Sequence, residues 1–254
     1  MKMNLPKNIL FALALLAFSC NNSQKAEEKQ DEEVIEKVEV VKEVKTVNAL
    51  SAEEKAEGWE LLFDGTSLNG WHTYLKENVE GWKVEDGLLI TEGGNGDIVT
   101  NEDFQNFELY FEWNISEKGN SGILFNIIED EQYAATYVTA PEYQLIDDNN
   151  YPQELTDKQK SGANYDIHPP KVFAAKAPGE FNESKLIVNN GHVEHWLNGE
   201  KVVEYELWSD EWKAEMMASK FAKMEGYATA KKGKIGIQDH GNLIALRNIK
   251  IRKL

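Results

Sequence analysis

From Gly58 to the C-terminus the chain is written in short runs of alternating apolar and polar residues, and this leaves few folds open. The runs "WELLF", "GLLIT", "DIVT", "FELYFEWNI", "GILFNII", "EYQLI", "KLIVN", "HVEHWL", "KVVEYE", "KIGIQ" and "LIALRNIKI" each read as a strand, because side chains on a strand point to alternate faces. Turn signals such as "NG", "DG", "GN" and "PGE" separate them. About eleven short strands with almost no helix between them predict an all-β sandwich or barrel, one face of each sheet lying on the core. One segment breaks the pattern. In "SDEWKAEMMASKFAKMEG" Ser209 is a helix N-cap, Asp210 and Glu211 fill the first turn, Lys220 and Lys223 the last, and Gly226 is the stop. A single helix is therefore expected near 209–225, with Trp212, Met216 and Phe221 on its buried side.

With 254 residues, 41% of them hydrophobic and 10% aromatic, the chain can build one sizeable globular domain. Its formal charge of −17 argues against nucleic acid or an anionic lipid surface as a partner, since both repel an acidic protein. A neutral ligand fits better. Cys20 is the only cysteine, so neither an internal disulfide nor a cysteine-rich zinc site can form.

The position of Cys20 gives it a different meaning. Lys2 and Lys7 form a positive start, and the apolar run Ile9 to Phe18 is too short to span a bilayer, as in a secretory signal. "LAFSC" resembles the cleavage box of bacterial lipoproteins, which implies a signal peptide over 1–19 and lipidation of Cys20. Membrane contact would then be made through the lipid alone. Residues 20–57, rich in Glu and Lys and free of Gly and aromatic residues up to Glu57, read as a flexible acidic tether. The early cluster "KAEEKQDEE" resembles signals that export lipoproteins to the cell surface. The expected location is the bacterial cell envelope, anchored at the outer membrane on its periplasmic or outer face.

None of the compact catalytic patterns is present: there is no G-x-S-x-G, P-loop, H-E-x-x-H or dinucleotide fingerprint. Any chemistry must be assembled from separate strands, and three polar stretches offer it. In "PEYQLID", Glu142 and Gln144 share a strand face and Asp147 follows in the turn. In "GKIGIQDHG", Gly236, Gln238 and His240 alternate with Ile235, Ile237 and Asp239, and a glycine on an open polar face lets a ligand approach the backbone. In "GNSGILFN", Asn120 and Ser121 enter a strand on which Gly122 and Asn126 are expected to face away from Ile123 and Phe125.

These stretches, with "WELLFDGTSLNGWH", "SGANYD", "PGEFN", "HWLNGEKV", "SKFAKM" and the closing "GNLIALRNIKIRKL", resemble in order the 3-keto-disaccharide hydrolase family, from Gly58 to Leu254. The resemblance implies a concanavalin A-like jelly-roll sandwich and cleavage of glycosides whose sugar is oxidised to a ketone at C3. Such a ketone acidifies the hydrogen on C2. A base can remove it, the enolate can expel the substituent on C1, and water can add to the double bond. On that reading Glu142 is the base and His240 the enolate stabiliser or proton donor. Gln144, Asn120, Gln238 and Arg247 would bind substrate oxygens, and Tyr165 and His168 would close over the ligand. A divalent metal held by Glu142, His240 and Asp147 is a further option, although no ligand spacing demands one. The chemistry also requires an upstream sugar 3-oxidoreductase.

Plainer readings stand beside these. Glu142 and Gln144 fit the wet face of a strand, Asp147 an Asx turn, Asp239 a structural hydrogen bond, Arg247 a surface ion pair, and His195 a packed strand histidine. A lectin-like carbohydrate-binding protein is the competing class. A conventional two-carboxylate glycosidase ranks last, because Gln144 stands where it would want an acid. The resemblance would also place an arginine at Asn126, a tryptophan at Phe181 and an aromatic at Leu246. The first departure would take a charge from a ligand-facing position.

Overall fold

The computed structural model describes residues 46–254. The expectations for the signal peptide, Cys20 and the tether as far as residue 45 lie outside the described residues. Within them run thirteen strands: β1 (Trp59–Leu61), β2 (Trp71–Thr73), β3 (Trp82–Glu85), β4 (Leu88–Thr91), β5 (Ile98–Thr100), β6 (Phe107–Ile115), β7 (Asn120–Ile127), β8 (Glu142–Ile146), β9 (Asn182–Asn189), β10 (His192–Leu197), β11 (Glu200–Glu206), β12 (Lys234–Ile237) and β13 (Ile244–Lys253). Eleven of them fall on the runs read as strands. The other two, β2 and β3, are three and four residues long, too short for a period to show.

The strands form an antiparallel sandwich. One sheet has the order β11-β10-β9-β6-β13-β4-β3, with β1 also paired to β13; the other has the order β2-β5-β12-β7-β8. Three hairpins are closed by two-residue turns, Asp86–Gly87, Asn190–Gly191 and Asn198–Gly199, all six residues having positive φ. That is the conformation in which Asn-Gly and Asp-Gly follow the twist of the flanking strands.

Between the sheets, Leu109, Phe111 and Trp113 of β6 meet Ile123 and Phe125 of β7, Tyr143 and Leu145 of β8, and Ile235 and Ile237 of β12. Trp71 and Trp82 are buried in the same core. One polar tie crosses it. The Tyr143 hydroxyl reaches Ser184 Oγ at 3.0 Å and donates to the Trp196 carbonyl at 2.9 Å, while Trp113 Nε1 donates to Ser184 Oγ at 2.9 Å. Because Tyr143 points backward into this tie, Glu142 and Gln144 must point forward.

Two expectations about helices need correction. The segment near 209–225 is not one helix: α2 (Asp210–Met217), with Ser209 capping Trp212 N–H, ends at Ala218, and Ser219 then caps a separate 3-10 turn, Lys220–Lys223. Ser219 is the cause, since its hydroxyl accepts from Phe221 N–H and offers the backbone an alternative to continuing the helix. Lys220 thus opens a new turn. In the last stretch assigned to the tether, α1 (Ala52–Ala56) is held by a reciprocal box in which Ser51 and Glu54 cap each other's backbone N–H. Asn48 donates to the Gly87 carbonyl at 2.7 Å and accepts from Asn248 N–H at 2.8 Å, and Glu54 pairs with Lys250. The segment 46–57 is therefore folded onto the strands.

Candidate active site

Every residue of β8 is buried, Glu142 and Gln144 included. The polar face of "EYQLI" is not wet. It forms the floor of a cavity of about 300 Å³, lined by Asn120, Glu142 and Gln144 from the strands, by Gln238 and His240 just past the end of β12, by Tyr137 and Lys220 from 3-10 turns and by Tyr165 from a loop. Six residues expected in the site are thus brought together: Glu142, His240, Gln144, Asn120, Gln238 and Tyr165.

Local structure explains how each arrives. Gly122 stands opposite Gln144 across the β7–β8 ladder, and Glu142 lies over it: a Cβ at residue 122 would come within 2.3 Å of Glu142 Oε1 and 2.8 Å of its Cγ. The missing side chain is the cradle for the carboxyl. Gln238 is fixed by its backbone, its N–H donating to the Gly122 carbonyl at 2.9 Å and its carbonyl accepting from Ser121 Oγ at 2.7 Å. Beside β8 the segment 162–165 continues the ladder through Gly162 N–H to Gln144 O and Tyr165 N–H to Glu142 O, covering the sheet edge and delivering Tyr165 to the rim. Asp166, at positive φ, accepts from Lys220 N–H at 2.9 Å, and the Lys220 ammonium stands 4.0 Å from the centre of the Tyr165 ring.

Burial pushes the Glu142 carboxyl up to about 8, with the positive Lys220 pulling it down and Asp97 pushing it further up. With its amide nitrogen turned toward the acceptors, Gln144 donates to Glu142 Oε1 at 2.8 Å and to the Ser121 carbonyl at 3.2 Å. No lysine or arginine forms an ion pair with Glu142 among the described residues, so a proton on its carboxyl is held chiefly by desolvation, with the charge of Asp97 adding to it. Such a group is a strong base once the proton leaves. Replacing Gly122 by Ala forces the carboxyl out of its cradle. A loss of about 100-fold in activity with an unchanged fold is expected, measured by turnover beside a thermal melt.

Three expected residues are elsewhere. Arg247 is on β13, in the opposite sheet, where its Nε donates to Glu112 at 2.8 Å and its guanidinium lies 4.0 Å over the Phe181 ring; in so acidic a chain the ion pair captured it. His168 is not at the cavity: it contacts Glu215 at 2.7 Å and Asn164 at 3.0 Å and stacks on Tyr205. Asp147 closes a turn, accepting from the N–H groups of Lys118, Asn149 and Asn150. Its oxygens are consumed, so Glu142, His240 and Asp147 do not gather as metal ligands. Among the described residues, the ligand atoms that do approach within 4.8 Å of one another belong to His192, Glu194 and Glu204, where Lys201 already pairs with both glutamates at 3.2 and 2.8 Å.

Asn126 is also not ligand-facing. It sits at positive φ on a bulge of β7, is 1% exposed, and does not line the cavity, so the missing arginine takes no charge from this site. Leu246 is core. His195 is a packed strand histidine, its Nδ1 2.9 Å from the Gly162 carbonyl and its ring stacked on Tyr143; burial lowers it to about 3. Asp239 is structural, accepting from the N–H groups of Gly94, Asn95, Gly96 and Gly241. Sequence reasoning missed Lys220, read as a helix-end charge, and Tyr137, in the aromatic loop "YAATYV" before β8.

Fold and site together define an antiparallel β-sandwich domain with a polar cavity on one sheet and a buried acid at its floor. This chain belongs to the family of 3-keto-alpha-glucoside-1,2-lyase-like domains, whose model matches residues 58–252, as the ordered motifs implied. It is 33% identical to the 3-keto-disaccharide hydrolase of Bacteroides thetaiotaomicron, the alignment covering 93% of each chain. A crystal structure of a proposed glycosyl hydrolase from Parabacteroides distasonis superposes with a TM-score of 0.80 at 41% identity, over 82% of this chain and 100% of that one. A second from the same organism gives 0.60 at 27% identity, over 77% and 99%.

Proposed function

We propose that this protein hydrolyses glycosides whose sugar carries a ketone at C3, removing the C2 proton, eliminating the C1 substituent and adding water. Family membership and the 3-keto-disaccharide hydrolase relative support hydrolysis of such sugars. The observation that carries the mechanism is Glu142, a buried carboxyl raised to about 8 on the floor of the cavity. As carboxylate it takes the C2 proton. Lys220 and His240 face the same space and stabilise the enolate oxygen that forms. Asn120, Gln144 and Gln238 hold ring hydroxyls, and Tyr137, 43% exposed, offers its ring as a platform.

This site suits proton abstraction better than passive binding. A lectin has no use for a carboxyl whose burial costs stability once it ionises, whereas a base needs that same property. The test is turnover of a 3-keto-disaccharide beside the unoxidised disaccharide by residues 46–254, with and without chelator. Only the oxidised sugar should be cleaved; equal turnover of both contradicts the elimination route.

The substrate reaches the enzyme already oxidised, so a sugar 3-oxidoreductase acts upstream. We place the protein at the outer membrane of a bacterial cell envelope, tethered by lipid on Cys20. In cells, Cys20→Ser should move it from the membrane pellet to the soluble fraction, followed by immunoblot; unchanged sedimentation contradicts the anchor.

A further inference from the structure

The cavity above Glu142 does not end at His240. Beyond a ridge made by Tyr137, Gln238 and His240, which border both spaces, lies a second chamber of about 310 Å³. Each chamber has the size of a small-ligand site at the low end of the usual range, and the two together match a ligand of two rings. Asp97, at the entry to β5, lines the second chamber only. It also fixes the ridge. Its Oδ1 accepts from Asp239 N–H at 2.8 Å, next to His240, and its Oδ2 accepts from the Thr136 hydroxyl, next to Tyr137. Burial pushes this carboxyl up as well; the hydrogen bonds from the Thr136 hydroxyl and the Asp239 N–H pull it down, the charge of Asp239 adds to the rise and His240 opposes it.

Elimination needs two proton-handling groups in different places. The base works on C2, within the oxidised ring. The acid must reach the exocyclic oxygen on C1, at the junction with the departing unit. A carboxyl in each chamber, with the ridge between them, meets that requirement. We infer that the second chamber holds the departing half of the substrate, a neutral hydroxylated unit such as a second sugar ring, and that Asp97 protonates its oxygen. Asn95, Tyr74 and Thr73 give that chamber the mixed amide and aromatic lining a sugar ring calls for.

The steps balance with water as the only co-reactant. Glu142 carboxylate takes the C2 hydrogen as a proton, and the C–H electron pair becomes the enolate. The enolate returns to a ketone, the pair forms the C1–C2 double bond, the C1–O bond breaks, and the departing oxygen takes the Asp97 proton. Water then adds at C1, giving a proton back to Asp97, while Glu142, whose proton exchanges with solvent as the departing unit leaves and water enters, gives one to C2. Both carboxyls regain their starting states.

This inference rests on the role proposed for Glu142, and its test separates the two. Asp97→Asn keeps the shape, and its amide can still accept from Asp239 N–H and donate to Thr136. Two substrates are compared: a 3-keto-disaccharide, whose leaving sugar needs a proton, and a nitrophenyl 3-keto-glucoside, whose phenolate leaves without one. In a single turnover the variant should lose about 10²- to 10⁴-fold in the rate of release of the leaving sugar from the disaccharide and no more than about tenfold in the rate of release of nitrophenolate. Equal losses on both substrates, or full activity on the disaccharide, overturn the inference. A wild-type protein inactive on both overturns the role of Glu142 and the inference with it, a result distinct from either of those.

Discussion

Glu142→Gln should abolish turnover of a 3-keto-disaccharide, a loss of about 10²- to 10⁴-fold or more in kcat, and at the same time make the protein more stable in alkaline solution. Both effects come from one property. The carboxyl titrates near 4.5 in the unfolded chain and near 8 in the folded one, because burial penalises its charge. Below 4.5 it is protonated in both states and contributes nothing. Between 4.5 and 8 the unfolded chain releases the proton and the folded chain keeps it, so stability falls as pH rises, and the full deficit is present above 8. A shift of this size corresponds to on the order of 5 kcal/mol. The glutamine has no charge to bury. Urea unfolding at pH 9 should show the variant more stable by a few kcal/mol, at most about 5, and the two proteins should converge toward pH 4.5. Equal stability at pH 9 would mean that the carboxyl is not desolvated, and the account of it as a tuned base would fail.

Lys220→Met should lower kcat by about 10²- to 10³-fold, the usual cost of removing a charge-stabilising group from a forming oxyanion. It should also displace the pH profile. On the nitrophenyl substrate, whose phenolate leaves without a proton from Asp97, wild-type kcat/KM is expected to rise with pH and level off above about 8, following ionisation of Glu142. The Lys220 ammonium favours that ionisation, so its removal raises the Glu142 carboxyl further and moves the acid limb to higher pH. Lys220→Arg keeps the charge and should leave the limb in place. A fall in kcat with no displacement of the limb would assign Lys220 a packing role on Tyr165.

The strand pattern was sufficient to place β8 and the sandwich around it, because alternation and Asn-Gly or Asp-Gly turns are local properties. Alternation also showed that Glu142 and Gln144 share a face. It did not show whether that face was wet, since the answer depends on the segment 162–165 covering the edge of β8 and on Lys220, which lies far along the chain. The same distance hid Asp97 and Lys220, and Tyr137, close to β8 in sequence, stands in a three-residue 3-10 turn too short for a period to mark it. Arg247, His168 and Asp147 misled for the opposite reason. Their residue types suit a binding site, but each had a nearer partner in Glu112, Glu215 or the turn backbone. The motif order was the better guide to the family, and geometry was needed to say which polar residues meet.

The central claim is that Glu142 draws the proton from C2 and returns one to it. The direct measurement is cleavage of a 3-keto-disaccharide in deuterated water, with deuterium at C2 of the released keto sugar followed at early conversion against enzyme-free exchange of the same product. The account predicts deuterium at C2 above the enzyme-free level in the wild type and none above it in Glu142→Gln. Full turnover by the wild type with C2 still carrying its original hydrogen would contradict it.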